Sequence, residues 1–167
     1  MNVFRVLPYD AAHKRATFSS GSEPLDRYFK LQLTQDIRRR VTACFVALTK
    51  ELHIAGYYTL ASASVPLTDL PPDISKKLPR YSLVPAVLMG RLAVDQNFKG
   101  QGLGGALLAD ALRRAALSQI AAYAMIVDAK DEAAAAFYRH HGFISLPDSP
   151  LKLFLPLATV SGSGEWS

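Results

Sequence analysis

Three glycines at alternate positions, Gly100, Gly102 and Gly104, constrain the fold of this chain more than any other feature. They lie in the segment 99–104, KGQGLG, which follows an apolar stretch ending at Val94 and opens a second apolar stretch. Glycine costs backbone entropy, so three together indicate a backbone that must lie bare against a ligand. Where a helix begins, backbone N–H groups and the positive end of the helix dipole bind phosphate groups. The segment therefore predicts a strand, a short turn and a helix whose N-terminus holds a phosphorylated ligand.

Other interpretations of the glycine segment differ in the ligand. A Walker A loop must end in Gly-Lys-Ser/Thr, which this segment lacks. The dinucleotide fingerprint G-x-G-x-x-G is matched by Gly100, Gly102 and Gly105, with Asp128 at the end of the next strand as a ribose ligand. That fold needs repeated βα pairs, whereas hairpin strands precede this loop and one further helix follows it. A glycine-rich helix start with no ligand is the remaining alternative.

Apolar patterning in the rest of the chain predicts a sheet with flanking helices. Strands are predicted over residues 3–7, 41–48, 52–64, 84–94, 122–127, 143–146 and 152–157, and helices over residues 22–39, 102–118 and 131–140. The apolar face of the first helix is expected to contain Leu25, Tyr28, Phe29, Leu31 or Gln32, and Leu33. The proline-punctuated stretch 67–85 predicts a surface crossing with at most a short helix at 74–78. With 167 residues, half of them apolar, the chain can form one domain over residues 1–160, followed by a polar tail, 161–167.

The charge and the single cysteine limit the classes of partner and compartment. The net charge of +5 favours a polyanionic partner, although a ligand with several phosphates would account for part of the excess. No apolar run approaches the roughly 20 residues that cross a membrane, and residues 1–15 contain no secretory signal. We therefore expect a cytoplasmic protein without a membrane partner. Cys44 lies alone in an apolar run, which predicts a buried thiol and no disulfide, and no metal site is expected.

Two motifs resemble those of the GNAT family of N-acetyltransferases. The stretch 90–95, GRLAVD, leading into KGQGLG resembles the acetyl-CoA motif, usually written Arg/Gln-x-x-Gly-x-Gly/Ala. Lys99 keeps the charge of the first position but not the planar fork of Arg. Residues 131–138, followed by the Gly-Phe pair at 142–143, resemble a second hallmark, in which Asp131 replaces the usual Asn. The resemblance implies an α/β (α+β) GNAT fold: a central mixed, mostly antiparallel twisted sheet flanked by helices and splayed at the acetyl-CoA site.

The same resemblance implies acetyl-CoA as the cofactor and assigns the residues that bind it. The assigned residues are Leu92, Ala93, Val94, Lys99, Gly100, Gln101, Gly102, Leu103, Gly104, Asp131, Phe137 and Tyr138. Backbone around Leu92 to Val94 would hold the acetyl and pantetheine amides, with one N–H at the developing oxyanion. Tyr138 would be the catalytic acid for the departing thiolate. His140 and His141 are titratable alternatives that we expect to be exposed.

A closer resemblance, over nearly the whole chain, is to the GNAT toxins of bacterial toxin–antitoxin pairs. It rests on the segments 18–21 (FSSG), 25–28 (LDRY), 56–60 (GYYTL), 90–95 and 127–131 (VDAKD), with the Phe-Tyr pair at 137–138. Those toxins acetylate the α-amino group of aminoacyl-tRNA and block translation. The resemblance implies aminoacyl-tRNA as substrate, and a ribbon-helix-helix antitoxin and a second copy of the chain as partners. The candidate tRNA contacts are Arg38, Arg39, Arg40, Lys76, Lys77, Arg80 and Arg91; ordinary surface charge explains all of them except Arg91 equally well.

No side chain stands out as a general base, which bears on the acceptor. An α-amino group has a pKa near ~7.7–8.0 and is partly neutral at physiological pH, whereas a lysine has a pKa near ~10.4. An α-amine acceptor is therefore favoured, although Asp95 or Glu132 acting through water is an alternative. Two other functions stay open: acetylation of a small amine or a protein N-terminus, and a non-enzymatic CoA-binding regulatory domain.

Overall fold

The described part of the chain, residues 3–161 of a computed structural model, forms a seven-stranded sheet flanked by helices. The strands are β1 (Arg5–Pro8), β2 (Ala43–Leu48), β3 (Ile54–Pro66), β4 (Leu83–Val94), β5 (Ala124–Asp128), β6 (Ile144–Leu146) and β7 (Ser149–Pro156). The helices are α1 (Glu23–Arg27), α2 (Leu33–Arg38), α3 (Pro72–Ser75), α4 (Leu103–Ala116), α5 (Glu132–His140) and α6 (Leu157–Ser161). The strand order is β1-β2-β3-β4-β5-β7-β6. The predicted mixed α/β architecture is thus confirmed.

The chain divides into two compact units. The first comprises the described residues of Met1–Ala61 together with Met89–Ala111, and the second comprises Ser62–Leu88 and the described residues of Leu112–Ser167. The long strands β3 and β4 run through both units. The single domain over residues 1–160 stays a prediction.

Aromatic packing forms the core of the first unit. The ring of Phe29 stacks on that of Tyr57 with centroids 4.1 Å apart, and Phe18 meets both rings edge-on. Offset-stacked and edge-to-face pairs of this kind contribute about 0.5–1.5 kcal/mol each beyond their buried area. Strands β1, β2 and β3 pair antiparallel beside this cluster, and the predicted hairpin between β2 and β3 is confirmed. Cys44, on β2, is buried as expected.

The first predicted helix is interrupted, and this changes which side chains it buries. Tyr28–Gln32 forms a π turn between α1 and α2, whereas the sequence pattern predicted one continuous helix over residues 22–39. A π turn inserts an extra residue and rotates the following side chains out of the 3.6-residue period. Leu31 is 75% exposed and Gln32 is exposed, so the expectation that either lies on the apolar face was wrong. Tyr28, Phe29 and Leu33, which were expected on the same face, are buried as predicted.

The second unit has its own apolar core on the antiparallel strands β5, β7 and β6. Ile126 of β5 pairs with Phe154 of β7, and both side chains are buried with Val65 and Val84. The crossing between β3 and β4 contains a 3-10 turn at Leu67–Asp69 and the short helix α3. Two prolines start α3 slightly earlier than predicted, because proline is pre-organised for the first helical position.

The C-terminal end of the described chain was only partly predicted. Helix α6, which ends at Ser161, follows β7 directly and was not expected from the sequence. The rest of the predicted polar tail, residues 162–167, lies outside the described residues. None of the helices in residues 3–161 has the length and apolar character that a membrane crossing requires.

Candidate active site

The glycine segment forms a loop that leads directly into α4. Gly100 and Gly102 both have φ of +78°, a backbone conformation that other residues adopt only with strain. No atom lies within 4 Å of the position that a Cβ would occupy at either glycine. Gly104 lies inside α4 and does not have a positive φ. Backbone conformation therefore favours glycine at two of the three positions, Gly100 and Gly102. The first N–H groups of this 14-residue helix have no partner within the helix and are suited to bind a phosphate.

A buried carboxylate fixes the segment that precedes this loop. Asp95 is 4% exposed, and its two oxygens accept hydrogen bonds from the backbone N–H groups of Ser19 and Asn97, each at 2.9 Å. The N–H of Gln96 donates in turn to the Ser19 carbonyl at 2.8 Å. Gly21 has φ of +90°, a conformation that favours glycine, and it lies against the side chain of Gln96. The loop at residues 19–21 and the segment 95–97 therefore hold each other in place.

Lys99 has a partner within the protein that the sequence did not indicate. Its Nζ donates to the Ser20 carbonyl at 2.6 Å, which joins the glycine loop to the same 19–21 loop. Gln101 and Gly102 beside it are exposed, whereas the side chain of Leu103 is buried, so Leu103 presents only its backbone. An anion on this loop would meet backbone donors first and the Lys99 ammonium second.

The end of β4 is shaped by a glycine that the sequence analysis missed. Ala93 is buried, while Leu92 and Val94 are half-buried. A Cβ at Gly56 would lie 2.9 Å from the carbonyl oxygen of Ala93 and 2.8 Å from Cδ1 of Leu107. Glycine inside a strand of β-branched and aromatic residues marks such a close approach, and this was the available signal. The small residue lets β4 and α4 pack closely beside β3.

Tyr138 lies near the end of α5, and its hydroxyl makes no hydrogen bond to the described part of the chain. The side chain is 8% exposed, and burial raises the pKa of Tyr138 to about 12. No hydrogen bond to any residue in 3–161 uses its hydroxyl. The phenol is therefore protonated throughout the neutral range and free to donate to a ligand. The helix begins at Asp131, whose Oδ1 accepts from the Ala134 N–H at 2.8 Å as a capping residue.

The Gly-Phe pair after α5 holds Tyr138 in position. The N–H of Phe143 donates to the Tyr138 carbonyl at 3.1 Å, and the N–H of Gly142 donates to the Arg139 carbonyl at 3.0 Å. With φ of +95° at Gly142, these two bonds form a Schellman motif. The ring of Phe143 packs against that of Tyr138 at 5.5 Å, and Phe137 is half-buried against His141. The Gly-Phe pair is thus a helix end that fixes the tyrosine.

The other titratable candidates are exposed or already paired. His140 and His141 are exposed as predicted, and partial burial followed by the charge of His140 lowers the pKa of His141. Of the two possible bases, Asp95 is buried on backbone donors, and Glu132 forms an ion pair with Arg139 on the surface of α5. Asp95 therefore lacks the solvent access that a base acting through water needs, whereas Glu132 keeps an exposed side chain with only Oε1 in the ion pair.

The basic candidates differ in their surroundings. Arg38, Arg39 and Arg40 are exposed at the end of α2, and Lys76, Lys77 and Arg80 are exposed on the crossing of the second unit. Arg91 is half-buried on β4, and its guanidinium carbon lies 3.4 Å from the centroid of the Tyr28 ring. Arg91 is therefore the candidate whose side chain is held by a specific contact.

A shallow cavity of about 490 Å³ lies along α1 in the first unit, and no motif in the sequence indicated it. Its lining consists of Ser19, Gly21, Glu23, Asp26, Arg27, Lys30 and Leu31. The walls carry both signs of charge, and Glu23 pairs with Arg27 at 2.8 Å. The 19–21 loop lines this cavity and is also joined to the glycine segment by the hydrogen bond from Lys99 to Ser20.

Known proteins similar to this chain agree in fold and description. Residues 42–145 match the acetyltransferase (GNAT) domain family. The chain is 38% identical to a tRNA-acetylating toxin of Mycobacterium tuberculosis, over 83% of each chain. It is 31% identical to a probable toxin TacT of Sinorhizobium fredii, over 89% of this chain and 87% of that one. Among solved structures, AtaT complexed with acetyl-methionyl-tRNAfMet has a TM-score of 0.87 at 29% identity, with coverage of 97% and 99%.

Proposed function

Because this chain belongs to the GNAT acetyltransferase family, we propose that it transfers acetyl from acetyl-CoA to the α-amino group of an aminoacyl-tRNA. The observation that carries the proposal is the loop at Gly100 and Gly102, whose positive φ values present bare backbone at the start of α4. Two relatives support the acceptor, since one is named a tRNA-acetylating toxin and the other is bound to an acetylated tRNA. AtaTR bound with AcCoA supports the donor.

The residues around the glycine loop fit the pyrophosphate of CoA. Open space beside Gly100 and Gly102 leaves room for a diphosphate, and Lys99 adds a positive charge. We assign the N–H groups of residues 100–104, including Gln101, to this diphosphate. Backbone at Leu92 to Val94 would pair with the pantetheine amides and the acetyl carbonyl, and Asp131 and Phe137 would border the cofactor. Acetyl-CoA supplies the acetyl group as a thioester.

We assign Tyr138 as the acid for the departing sulfur. The acceptor nitrogen would form a C–N bond to the acetyl carbon while the C–S bond breaks with its electron pair on sulfur. The proton that the nitrogen loses would pass to the sulfur or to water, so that the products are an amide and CoA. A phenol with a pKa of about 12 is a weaker acid than a thiol, whose pKa is near ~8.5. Tyr138 therefore acts mainly by donating a hydrogen bond to the sulfur. Its hydroxyl proton moves fully to the sulfur only as the nitrogen releases its own proton.

The burial of Asp95 on two backbone donors supports an acceptor that needs no protein base, and leaves the exposed Glu132 as the carboxylate that could act through water. An α-amine with a pKa near ~7.7–8.0 is partly neutral at physiological pH without a protein base, whereas a lysine side chain near ~10.4 is almost fully protonated. The acetylated aminoacyl-tRNA would be blocked at its amine and so unable to act as an acceptor of the growing peptide. This chemistry would make the protein a toxin of translation that works in the cytoplasm.

The proposed partners follow from the same relatives. AtaT has been solved with the C-terminus of the antitoxin AtaR, and KacTA has been solved with DNA. We propose that this chain likewise pairs with an antitoxin, of the ribbon-helix-helix class, and forms a homodimer. The candidate tRNA contacts Arg38, Arg39, Arg40, Lys76, Lys77, Arg80 and Arg91 are part of this proposal.

Transfer of labelled acetyl to total charged tRNA tests the proposed function. Wild type is compared with Tyr138→Phe and with Tyr123→Phe, which removes a phenol hydroxyl elsewhere in the second unit. We expect label on the α-amino group with wild type and Tyr123→Phe, and little label with Tyr138→Phe. If wild type binds CoA but labels no charged tRNA, the acceptor is wrong, and small amines and protein N-termini are tested next.

A further inference from the structure

Arg91, Tyr28 and Asp36 form a chain of contacts in the first unit. The guanidinium carbon of Arg91 lies 3.4 Å from the centroid of the Tyr28 ring, a stacking distance. The Tyr28 hydroxyl donates to Oδ2 of Asp36 at 2.8 Å, and Nε2 of Gln32 donates to Oδ1 at 3.1 Å. Both oxygens of the Asp36 carboxylate are thereby occupied, and these bonds hold its pKa below the usual value.

The five N–H donors of Arg91 are unused among the described residues. No hydrogen bond or ion pair within residues 3–161 involves its guanidinium, although the side chain is half-buried. Arg15 provides the contrast. Its guanidinium carbon lies 5.1 Å from the centroid of the Tyr9 ring, and its Nη1 donates a hydrogen bond to the Phe29 carbonyl at 2.5 Å. Arg15 is a structural arginine, whereas Arg91 is fixed by its ring contact and keeps its donors available.

The sequence position of Arg91 suggests what those donors meet. Arg91 lies three residues before Val94 on β4, so their Cα atoms are about 10 Å apart along the strand. The backbone at Val94 is where the proposed function places the acetyl group. An acceptor amine at that point belongs to the 3′ end of a charged tRNA, where the nearest strong anion is a phosphodiester. A planar guanidinium fork matches phosphate oxygens in a bidentate manner.

We infer that Arg91 binds a phosphodiester at the 3′ end of the charged tRNA, and that Tyr28 and Asp36 are positioning residues which keep its donors free. Tyr28 supports the guanidinium by stacking and also occupies the Asp36 carboxylate. Without the Tyr28 hydroxyl, Asp36 becomes available to pair with Arg91 and to compete with the phosphate. The inference rests on the proposed function for the identity of the ligand.

Direct tRNA binding tests this inference without requiring catalysis. Anisotropy of a labelled tRNA is measured with CoA bound, between 50 and 200 mM salt, alongside KM values for charged tRNA and acetyl-CoA. The variants are Arg91→Ala, Arg91→Lys, Tyr28→Phe, Asp36→Asn and the double variant Tyr28→Phe/Asp36→Asn. Lys50→Ala in the β2–β3 turn is the charge control, and Tyr9→Phe is the control for a tyrosine beneath an arginine.

The two substitutions of Arg91, Tyr28→Phe and the double variant have different expected results. Arg91→Ala should weaken tRNA binding about tenfold and flatten the slope of log affinity against log salt by roughly 0.7–0.9. Arg91→Lys should keep the slope but raise KM for charged tRNA about fivefold, because the fork is lost. Tyr28→Phe should raise this KM about threefold, and adding Asp36→Asn should restore it. KM for acetyl-CoA should stay constant throughout.

Rescue in the double variant separates positioning from a general packing defect, because a packing defect would worsen with a second substitution. Arg91→Ala that binds tRNA as Lys50→Ala does, with the same salt slope, would overturn the inference while leaving the proposed function intact. The inference would also be overturned if Tyr28→Phe changed KM for charged tRNA no more than Tyr9→Phe does. If charged tRNA is never acetylated and yet Arg91→Ala shows the expected weakening, the proposed function fails while the phosphate contact stands.

Discussion

The glycine loop before α4 and the turn after α5 both contain glycines with positive φ, but their surroundings differ. At Gly100 and Gly102 the space where a Cβ would stand is open. At Gly142 that position lies 3.7 Å from Cδ1 of Leu155, and the flanking N–H groups already bond to α5 carbonyls. Open backbone can serve a ligand, whereas closed backbone holds a neighbouring side chain, here Tyr138. Conformation alone does not separate the two uses of glycine; the contacts do.

The same contrast applies to side chains. Tyr138 and Arg91 have polar groups that make no hydrogen bond to any residue in 3–161, while Asp95 and Asp36 have both carboxylate oxygens occupied. We expect substitutions in the open class to change catalysis or binding with little effect on stability. Substitutions in the closed class should lower stability first and affect activity through the element that they hold.

The largest effect is expected for Tyr138→Phe, in the open class. Loss of the acid should lower kcat by about 10²–10³-fold, within the range for general acid catalysis. The free energy of unfolding should change little, because the ring and its contact with Phe143 are retained. Steady-state kinetics and thermal unfolding on the same preparation check both. A parallel loss of stability would place Tyr138 in the closed class instead.

The pH dependence of wild type sharpens that assignment. The acid must be protonated, and burial raises the pKa of Tyr138 to about 12, so kcat/KM should have no falling limb below about pH 10. It should rise with pH as the acceptor amine loses its proton, near ~7.7–8.0 or lower. A rising limb that disappears in Asp95→Asn or Glu132→Gln would show that a carboxylate base contributes.

Asp95→Asn should produce the largest effect in the closed class. An amide offers one acceptor, so either the Ser19 or the Asn97 N–H loses its buried partner, at a cost of about 1–3 kcal/mol. Denaturant unfolding measures this loss. Asp128→Asn is the matched control, since Asp128 is exposed at the end of β5, and it should be neutral. A KM for acetyl-CoA that rises with Asp128→Asn would revive the dinucleotide-type interpretation.

Alanine at the two kinds of glycine compares open and closed backbone directly. Both Gly102→Ala and Gly142→Ala place a Cβ at positive φ, which costs about 1–2 kcal/mol of stability. Gly102→Ala should in addition raise KM for acetyl-CoA about tenfold, because the methyl enters the space assigned to the diphosphate. Gly142→Ala should instead lower kcat by displacing Tyr138. Identical kinetic effects of the two substitutions would remove the distinction.

Whether the sequence predicted a feature depends on whether nearby residues or distant contacts determine it. Locally encoded features were predicted: the glycine loop and the helix carrying Tyr138 depend on residues close in sequence. Features set by distant contacts were missed. The Asp95 carboxylate meets the Ser19 N–H 76 positions away, and Gly56 is required by the carbonyl of Ala93. The π turn was missed because a single apolar period over residues 22–39 does not reveal an inserted residue.

The smallest effect is expected at Asp36, which belongs to the closed class and accepts the hydrogen bond from the Tyr28 hydroxyl. The hydrogen bond from Tyr28, followed by that from Gln32, lowers the pKa of Asp36 in the folded protein. Its contribution to stability is therefore complete above the unfolded-state pKa, near ~3.9, and is lost as the pH falls through the folded-state value. The difference in unfolding free energy between wild type and Asp36→Asn should be constant from about pH 5 to 7 and shrink below about pH 4. Because Asp36 is partly exposed, salt and solvent keep this difference small. Urea unfolding at pH 3, 4, 5 and 7 measures it, and a difference that grows toward low pH would mean that the carboxylate is strained rather than stabilised beside Tyr28.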